Sequence, residues 1–147
     1  MNFTKHFSEE EFLTSQTAIK YKINNFWLDS IHRDNAIILC NSYLEIIRKN
    51  LEVPLILTSA YRTEKINSLI NGNPRSRHLS GEAVDMICPL LTCDELSNFI
   101  INLVKTNKLN KFDQIILKKN YIHFGIRIKE GNRGQILDEN YLLIETL

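Results

Sequence analysis

Residues that staple or stiffen small proteins are scarce in this sequence. It contains three cysteines (Cys40, Cys88 and Cys93), five glycines and three prolines in 147 residues. Three thiols cannot all pair within one chain and none belongs to a Cys-x-x-Cys motif, which excludes a small disulfide-stapled scaffold. We therefore expect reduced thiols, most of them buried. The few glycines and prolines exclude collagen-like and low-complexity classes.

The sequence also lacks an excess of charge of one sign. Eighteen Lys and Arg residues stand against seventeen Asp and Glu residues, for a formal net charge of +1. No general attraction to nucleic acid or to an anionic membrane follows from this balance, although it leaves room for a local basic patch. No motif of interleaved basic and aromatic residues indicates nucleic-acid binding.

Long apolar segments are absent as well. No apolar run reaches the roughly 18 residues that suggest a membrane span. The first residues lead into the acidic run Glu9-Glu10-Glu11 and lack the basic, apolar and small-residue regions of a signal peptide. We therefore expect synthesis and folding in a cytoplasm, with any action elsewhere depending on another route out.

The composition that remains is that of one globular domain over residues 1–147, with 44% hydrophobic and 24% charged residues. Four helices are predicted: one opened by the capping box Ser8-x-x-Glu11, one at 31–50, one at 63–71 ending at Gly72, and one from the capping box Thr92-x-x-Glu95 to about Thr106. Four strands are predicted: a buried one at 55–58, then 83–87, 112–117 and 121–128, with 118–120 as a hairpin turn. This order predicts an α+β domain with a largely antiparallel sheet flanked by helices.

His78 and Asp85 stand seven residues apart around Gly81. In a straight strand their separation would be roughly 23 Å, and on one helix it would be about 10 Å. Ligands of one metal ion must each lie about 2 Å from it. The two residues can therefore share a metal only if the chain folds back at Gly81, and the alternative is a surface hydrogen bond.

His123 adds a third candidate ligand. Alternation along the strand 121–128 puts Tyr121, His123, Gly125 and Arg127 on a polar face that could form the floor of a cleft, with Gly125 opening space beside the histidine. The other face, Ile122, Phe124 and Ile126, is expected in the core. Two histidines and a carboxylate suit zinc and leave a position for water. The alternative is a solvated strand histidine.

Arg62 follows the predicted strand 55–58. An arginine at a strand end can bind a carboxylate or stabilise an oxyanion through two parallel hydrogen bonds. The alternative is a surface salt bridge to a nearby glutamate. The two remaining histidines, His6 and His32, have no such surroundings and are predicted to be surface residues.

Three segments occur in order along the chain: Ser59-Ala60-Tyr61-Arg62, then Ser76-x-His78-x-x-Gly81-x-Ala83-x-Asp85, then Phe112-Asp113-Gln114 before Tyr121-Ile122-His123. This series resembles the zinc D-Ala-D-Ala carboxypeptidase family, which includes vancomycin-resistance D,D-dipeptidases and phage L-alanyl-D-glutamate endolysins. The opening residues 7–12 and the closing Asn132-Arg133-x-Gln135 resemble its small single-domain branch. The resemblance thus covers nearly the whole chain.

The resemblance implies a zinc site formed by His78, Asp85 and His123 in a cleft on the sheet. It implies that Arg62 binds substrate and stabilises the transition state, and that Ser76 and Gln114 line the substrate site. The implied reaction is hydrolysis of an amide bond in a peptide with D-amino acids, such as the peptidoglycan stem, by zinc-activated water. It also suggests a phage protein that acts on a host cell wall, which it would reach through a holin-like hole or on a virion.

One departure from the family concerns the general base. Many relatives have an acidic residue three positions before the last ligand, where this chain has Asn120, and Lys118 or Lys119 falls where a close relative often has glutamate. Three explanations stay open. Glu82 or Asp113 serves as the base; Tyr121 stabilises the oxyanion without a separate base; or the chain is a zinc-dependent module that binds cell-wall peptide without turnover.

Overall fold

Side-chain caps start most of the helices in the computed structural model, which describes residues 1–147. Ser8 and Thr92 both form complete capping boxes, and Thr63 accepts a hydrogen bond from the Ile66 amide. These caps satisfy amide groups that the first helical turn leaves without partners. The helices are α1 (Glu9–Leu13), α2 (Gln16–Tyr21), α3 (Ser30–Leu39), α4 (Glu45–Leu51), α5 (Glu64–Leu69) and α6 (Cys93–Lys105).

Six strands form one sheet in the order β1-β2-β4-β3-β5-β6. They are β1 (Ile56–Ser59), β2 (Ala83–Ile87), β3 (Gln114–Leu117), β4 (Ile122–Gly125), β5 (Gln135–Leu137) and β6 (Leu143–Thr146). Every pairing is antiparallel except that of β3 with β5. The predicted α+β architecture with a largely antiparallel sheet is confirmed.

The hydrophobic core lies between one face of the sheet and the helices. Phe112 and Phe124 pack with ring centroids 5.4 Å apart, and both are completely buried. Ile122 and Ile126 are buried on the same side as Phe124, as the alternation predicts. The opposite face of β4 is thereby left for polar residues.

Two predicted helices differ in detail from the structure. The segment 31–50 is helical throughout, but a π-helical turn at Cys40–Leu44 joins α3 to α4. Gly72 was expected to end the third predicted helix; instead Asn71 adopts the left-handed conformation, with φ +54°. Asparagine tolerates that conformation better than most residues, so no glycine is needed there.

The predicted strand at 55–58 is present as β1, but the prediction that it is buried is wrong. β1 lies at the edge of the sheet, and Ile56 is 42% exposed. Three elements, α2, β5 and β6, had no counterpart in the sequence prediction. None of the helices is long and apolar enough to cross a membrane.

The three cysteines agree with the sequence prediction, whereas His6 and His32 do not. All three thiols are free, and Cys40 and Cys88 are buried, as predicted. His6 and His32 are not simple surface residues. His6 pairs with Glu45 at 2.6 Å, and His32 hydrogen-bonds to the Tyr61 hydroxyl at 2.9 Å.

Glu45 anchors the N-terminal segment to the helical body, and its role is testable by pH. Burial raises the pKa of Glu45, but its bonds with the His6 amide and ring outweigh this and hold the pKa below its ordinary value. A lowered folded-state pKa stabilises the protein above the unfolded pKa, and the stabilisation is lost as pH falls through the folded pKa. We expect Glu45→Gln to reduce the free energy of unfolding by about 1–3 kcal/mol at pH 7.

Urea unfolding at pH 7 and pH 3 measures this difference. It should shrink at pH 3, and the exposed residue Glu139 provides the control variant Glu139→Gln, which should change little at either pH. A loss of equal size at both pH values would contradict the assignment.

Candidate metal centre

The register between β2 and β4 places Asp85 directly opposite His123. His78 reaches the same point from a 3₁₀ turn, Arg77–Ser80, that precedes β2. Gly81 makes the required reversal with φ +78°, as predicted. A Cβ atom at Gly81 would lie 2.2 Å from the His32 carbonyl oxygen, so the turn packs directly on α3. The Asn35 side chain also bonds to the Ser80 carbonyl, at 2.9 Å.

His78, Asp85 and His123 bring their donor atoms together. Asp85 Oδ1 lies 3.1 Å from His78 Nε2 and 3.1 Å from His123 Nδ1. One ligand atom from each residue lies within 4.8 Å of the other two. His78 and Asp85 are buried and His123 is 16% exposed, so the group is open only on the His123 side.

The backbone fixes the orientation of His78. Its Nδ1 lies 2.6 Å from the Ala60 carbonyl oxygen, which only accepts hydrogen bonds, so Nδ1 carries the proton. Neutral His78 then presents the lone pair of Nε2 to Asp85. Two acceptors 3.1 Å apart repel unless a cation lies between them. The donor set therefore fits a metal ion, and the Ala60 contact is the outer-shell partner typical of a metal-bound histidine.

The protonation states of these residues also suit a metal ion. Burial lowers the pKa of His78, which favours the neutral ring that metals require. Burial alone would raise the pKa of Asp85. The hydrogen bond from His123 outweighs that effect and holds the pKa well below its ordinary value. The carboxylate is thus ionised at neutral pH.

Arg62 is fixed beside the three residues. Its guanidinium donates to Asp85 Oδ2 at 3.1 Å and to the Ser59 hydroxyl at 3.1 Å. Asn67 accepts a longer bond of 3.4 Å from the same group. Burial lowers the pKa of Arg62, yet arginine stays charged at neutral pH. The alternative of a surface salt bridge to a glutamate therefore does not hold, because the partner is the buried Asp85.

These residues line a cleft with a volume of about 730 Å³. The cleft also contains Ser76, Asp113, Gln114 and Tyr121, so every predicted site residue lines it except Glu82. The Ser76 hydroxyl accepts a hydrogen bond from the His78 amide at 3.2 Å, which caps the 3₁₀ turn. The Gln114 amide donates to the Gln135 side chain at 2.9 Å.

Neither carboxylate proposed as a base is free. Glu82 lies outside the cleft, where it accepts bonds from the Ser80 hydroxyl at 2.6 Å and the Ile128 amide at 2.9 Å. Asp113 reaches the cleft but is held by the Arg133 guanidinium through two bonds of 2.9 Å. Both side chains thus have structural partners.

Asn120 does not face the metal residues. It is exposed and lines a smaller cavity of about 350 Å³, together with Lys119 and residues that flank the start of α6. Tyr121 is the neighbour that turns into the main cleft, and burial raises its pKa. The substitution at position 120 therefore removes no acid from the cleft of this chain.

Gly125 leaves space beside the His123 ring, as the sequence suggested. A Cβ atom there would lie 3.5 Å from His123 Nε2, an ordinary van der Waals distance. Most contacts that position the candidate ligands are made by residues that were not predicted as site residues. The residue types of Ala60 and Asn67 do not indicate a functional role. The only sequence feature that pointed to Ala60 is its place in the Ser59–Arg62 segment.

Removal of one ligand tests the metal centre directly. We expect His78→Ala to lower zinc affinity by at least about 100-fold, because two remaining ligands hold the ion poorly. Zinc content after dialysis, with competition against a chelating dye, measures this. His32→Ala is the matched control outside the cleft and should keep about one zinc per chain. Equal zinc retention in both variants would contradict the assignment.

Comparison with known proteins agrees with this geometry. No curated protein matches the chain. A family model described as peptidase M15 matches residues 5–125, a range that contains Arg62 and all three candidate ligands. Because the match covers most of the chain and includes the metal residues, this protein belongs to the peptidase M15 family of zinc metallopeptidases.

Proposed function

We propose that this metallopeptidase hydrolyses an amide bond in the stem peptides of peptidoglycan, as a D,D-carboxypeptidase or an endopeptidase. The observation that supports it is the convergence of His78, Asp85 and His123 beside Arg62 in one open cleft. An open cleft suits an extended peptide, and the motifs around these residues resemble those of enzymes that act on D-amino-acid peptides.

His78, Asp85 and His123 would hold the zinc ion. When bound, zinc lowers the pKa of water and polarises a carbonyl group, which is the chemistry that amide hydrolysis needs. Three protein ligands leave a coordination position free, as catalytic zinc sites require. The Ala60 carbonyl keeps the Nε2 lone pair of His78 directed at that site.

The residues around the candidate ligands would stabilise charge and bind the peptide. Arg62 stabilises negative charge that develops on the scissile carbonyl, because its guanidinium is already fixed by Ser59 and Asp85. The Tyr121 hydroxyl supplies a second donor, and its raised pKa keeps it protonated at neutral pH. Ser76 and Gln114 line the cleft and orient the peptide.

A second function is a module that binds zinc and cell-wall peptide without turnover. One observation favours it: Glu82 and Asp113 both have other partners, so no free carboxylate lies beside the metal ligands. Loss of a general base costs on the order of 10²–10⁴-fold in rate. In either case the protein would meet the cell wall outside the cytoplasm, as a phage protein does when it passes through a holin-like hole or is carried on a virion.

Digestion of purified peptidoglycan and defined stem peptides decides between the two functions. Zinc-loaded protein is expected to give a product, identified by mass spectrometry, that is absent with a chelator and absent with His123→Ala. The mass of the product names the bond that is cut. Zinc-loaded protein that binds the peptides and yields no product would support the binding module instead.

Arg62 provides a separate test of the chemistry. We expect Arg62→Lys to lower kcat/KM by about 10²–10³-fold, because lysine keeps the charge but loses the paired donors that hold an oxyanion. Zinc content measured on the same sample shows whether the ligands are intact. Lys49→Arg, on the exposed end of α4, is the control. Full activity in Arg62→Lys would remove Arg62 from the mechanism.

A further inference from the structure

The metal cleft is much more positive than the chain as a whole. Six basic residues line it: Arg62, Arg75, Arg77, Lys118, Arg127 and Arg133. Only two acidic residues, Asp85 and Asp113, share that lining. The net charge of the whole chain is +1, so positive charge is concentrated at this site. A cleft with charge of one sign draws in ligands of the opposite sign.

Most of these cations already have carboxylate partners. The pairs are Arg62 with Asp85, Arg133 with Asp113, Arg77 with both Glu82 and Glu130, and Arg127 with Glu130. Arg75 and Lys118 have no carboxylate within ion-pair distance. Arg75 is exposed on the loop before the 3₁₀ turn, where solvent and salt screen its charge. Lys118 is half-buried, which makes it the stronger candidate for binding an anion.

The position of Lys118 is fixed by two contacts. Its Nζ donates to the Tyr141 hydroxyl at 2.8 Å and lies 4.2 Å from the centre of that ring. Its backbone amide bonds to the Tyr121 carbonyl at 3.1 Å, which keeps it next to a residue of the cleft. Tyr141 is neutral, so the ammonium charge is not cancelled. Two of its three N–H donors stay free for a ligand.

We propose that Lys118 binds a carboxylate of the peptide substrate and makes the cleft selective for acidic peptides. Tyr141 is a positioning residue that holds the ammonium group in the cleft. A hydrogen bond with a charged donor is stronger than one between neutral groups. This inference rests on the proposed function, because it names the substrate class of the same site.

The test pairs each stem peptide with analogues in which one carboxylate at a time is converted to an amide. For the native protein we expect amidation at one position to lower kcat/KM by about 10- to 100-fold. In Lys118→Met the same amidation should have little effect, because the carboxylate has lost its partner. The two changes then show coupling, as residues in contact do.

Lys119→Met is the matched control. Lys119 is the next residue in the same turn, but it is exposed and faces the smaller cavity. The Lys119→Met variant should therefore distinguish free from amidated peptide as well as the native protein does. Tyr141→Phe keeps the ring and removes the hydroxyl, and should reduce the selectivity by a smaller factor than Lys118→Met. It also keeps the test valid if Lys118→Met folds poorly.

The outcomes separate this inference from the proposed function. Equal cleavage of free and amidated peptides by the native protein, or equal effects of Lys118→Met and Lys119→Met, would overturn the role of Lys118. If no peptide is cleaved, the proposed peptidase function fails. Calorimetric binding of the same peptides to the zinc-loaded protein then still measures whether Lys118 distinguishes a carboxylate from its amide.

Discussion

The buried carboxylate of Asp85 is the constraint on which the rest of the site depends. A charged group removed from water is costly unless nearby groups compensate it. Here the His123 imidazole and the Arg62 guanidinium compensate it from 3.1 Å away, and Nε2 of His78 lies at the same distance. Asp85 and these three side chains come from four separate parts of the chain: β2, the 3₁₀ turn, β4 and the segment after β1. The sheet register and the turn at Gly81 are the means by which these parts meet.

Patterns that are local in sequence allowed most of the fold to be predicted. Both capping boxes, the helix 31–50 and the core face of β4 follow from spacings of a few residues. The missed strands have no such signal. β5 has three residues and pairs in parallel with β3, and β6 exposes most of its apolar side chains. Their positions depend on contacts across the sheet, which a period of two residues does not reveal.

In the candidate site, too, local sequence patterns could be used for prediction, whereas contacts between distant residues could not. The candidate ligands could be selected because a fixed order of residues carries them, whereas the partners of Asp113 and Glu82 could not be predicted. Asp113 is bound by Arg133, 20 residues further on, and Glu82 by the amide of Ile128, 46 residues further on. The concentration of positive charge in the cleft could not be predicted either, because the net charge of the whole chain does not show where its charged residues lie.

The contact between Gly81 and α3 places the metal-binding part of the site on a different part of the structure from the walls that meet the substrate. The turn that carries the candidate ligand His78 rests on helix backbone with no room for a side chain at Gly81, so this part of the site belongs to the rigid body of the protein. The opposite walls come from the loop before Ser76 and from the segment around Tyr141, which touch the core little. New substrates can therefore be acquired by changing those walls while the catalytic centre stays intact.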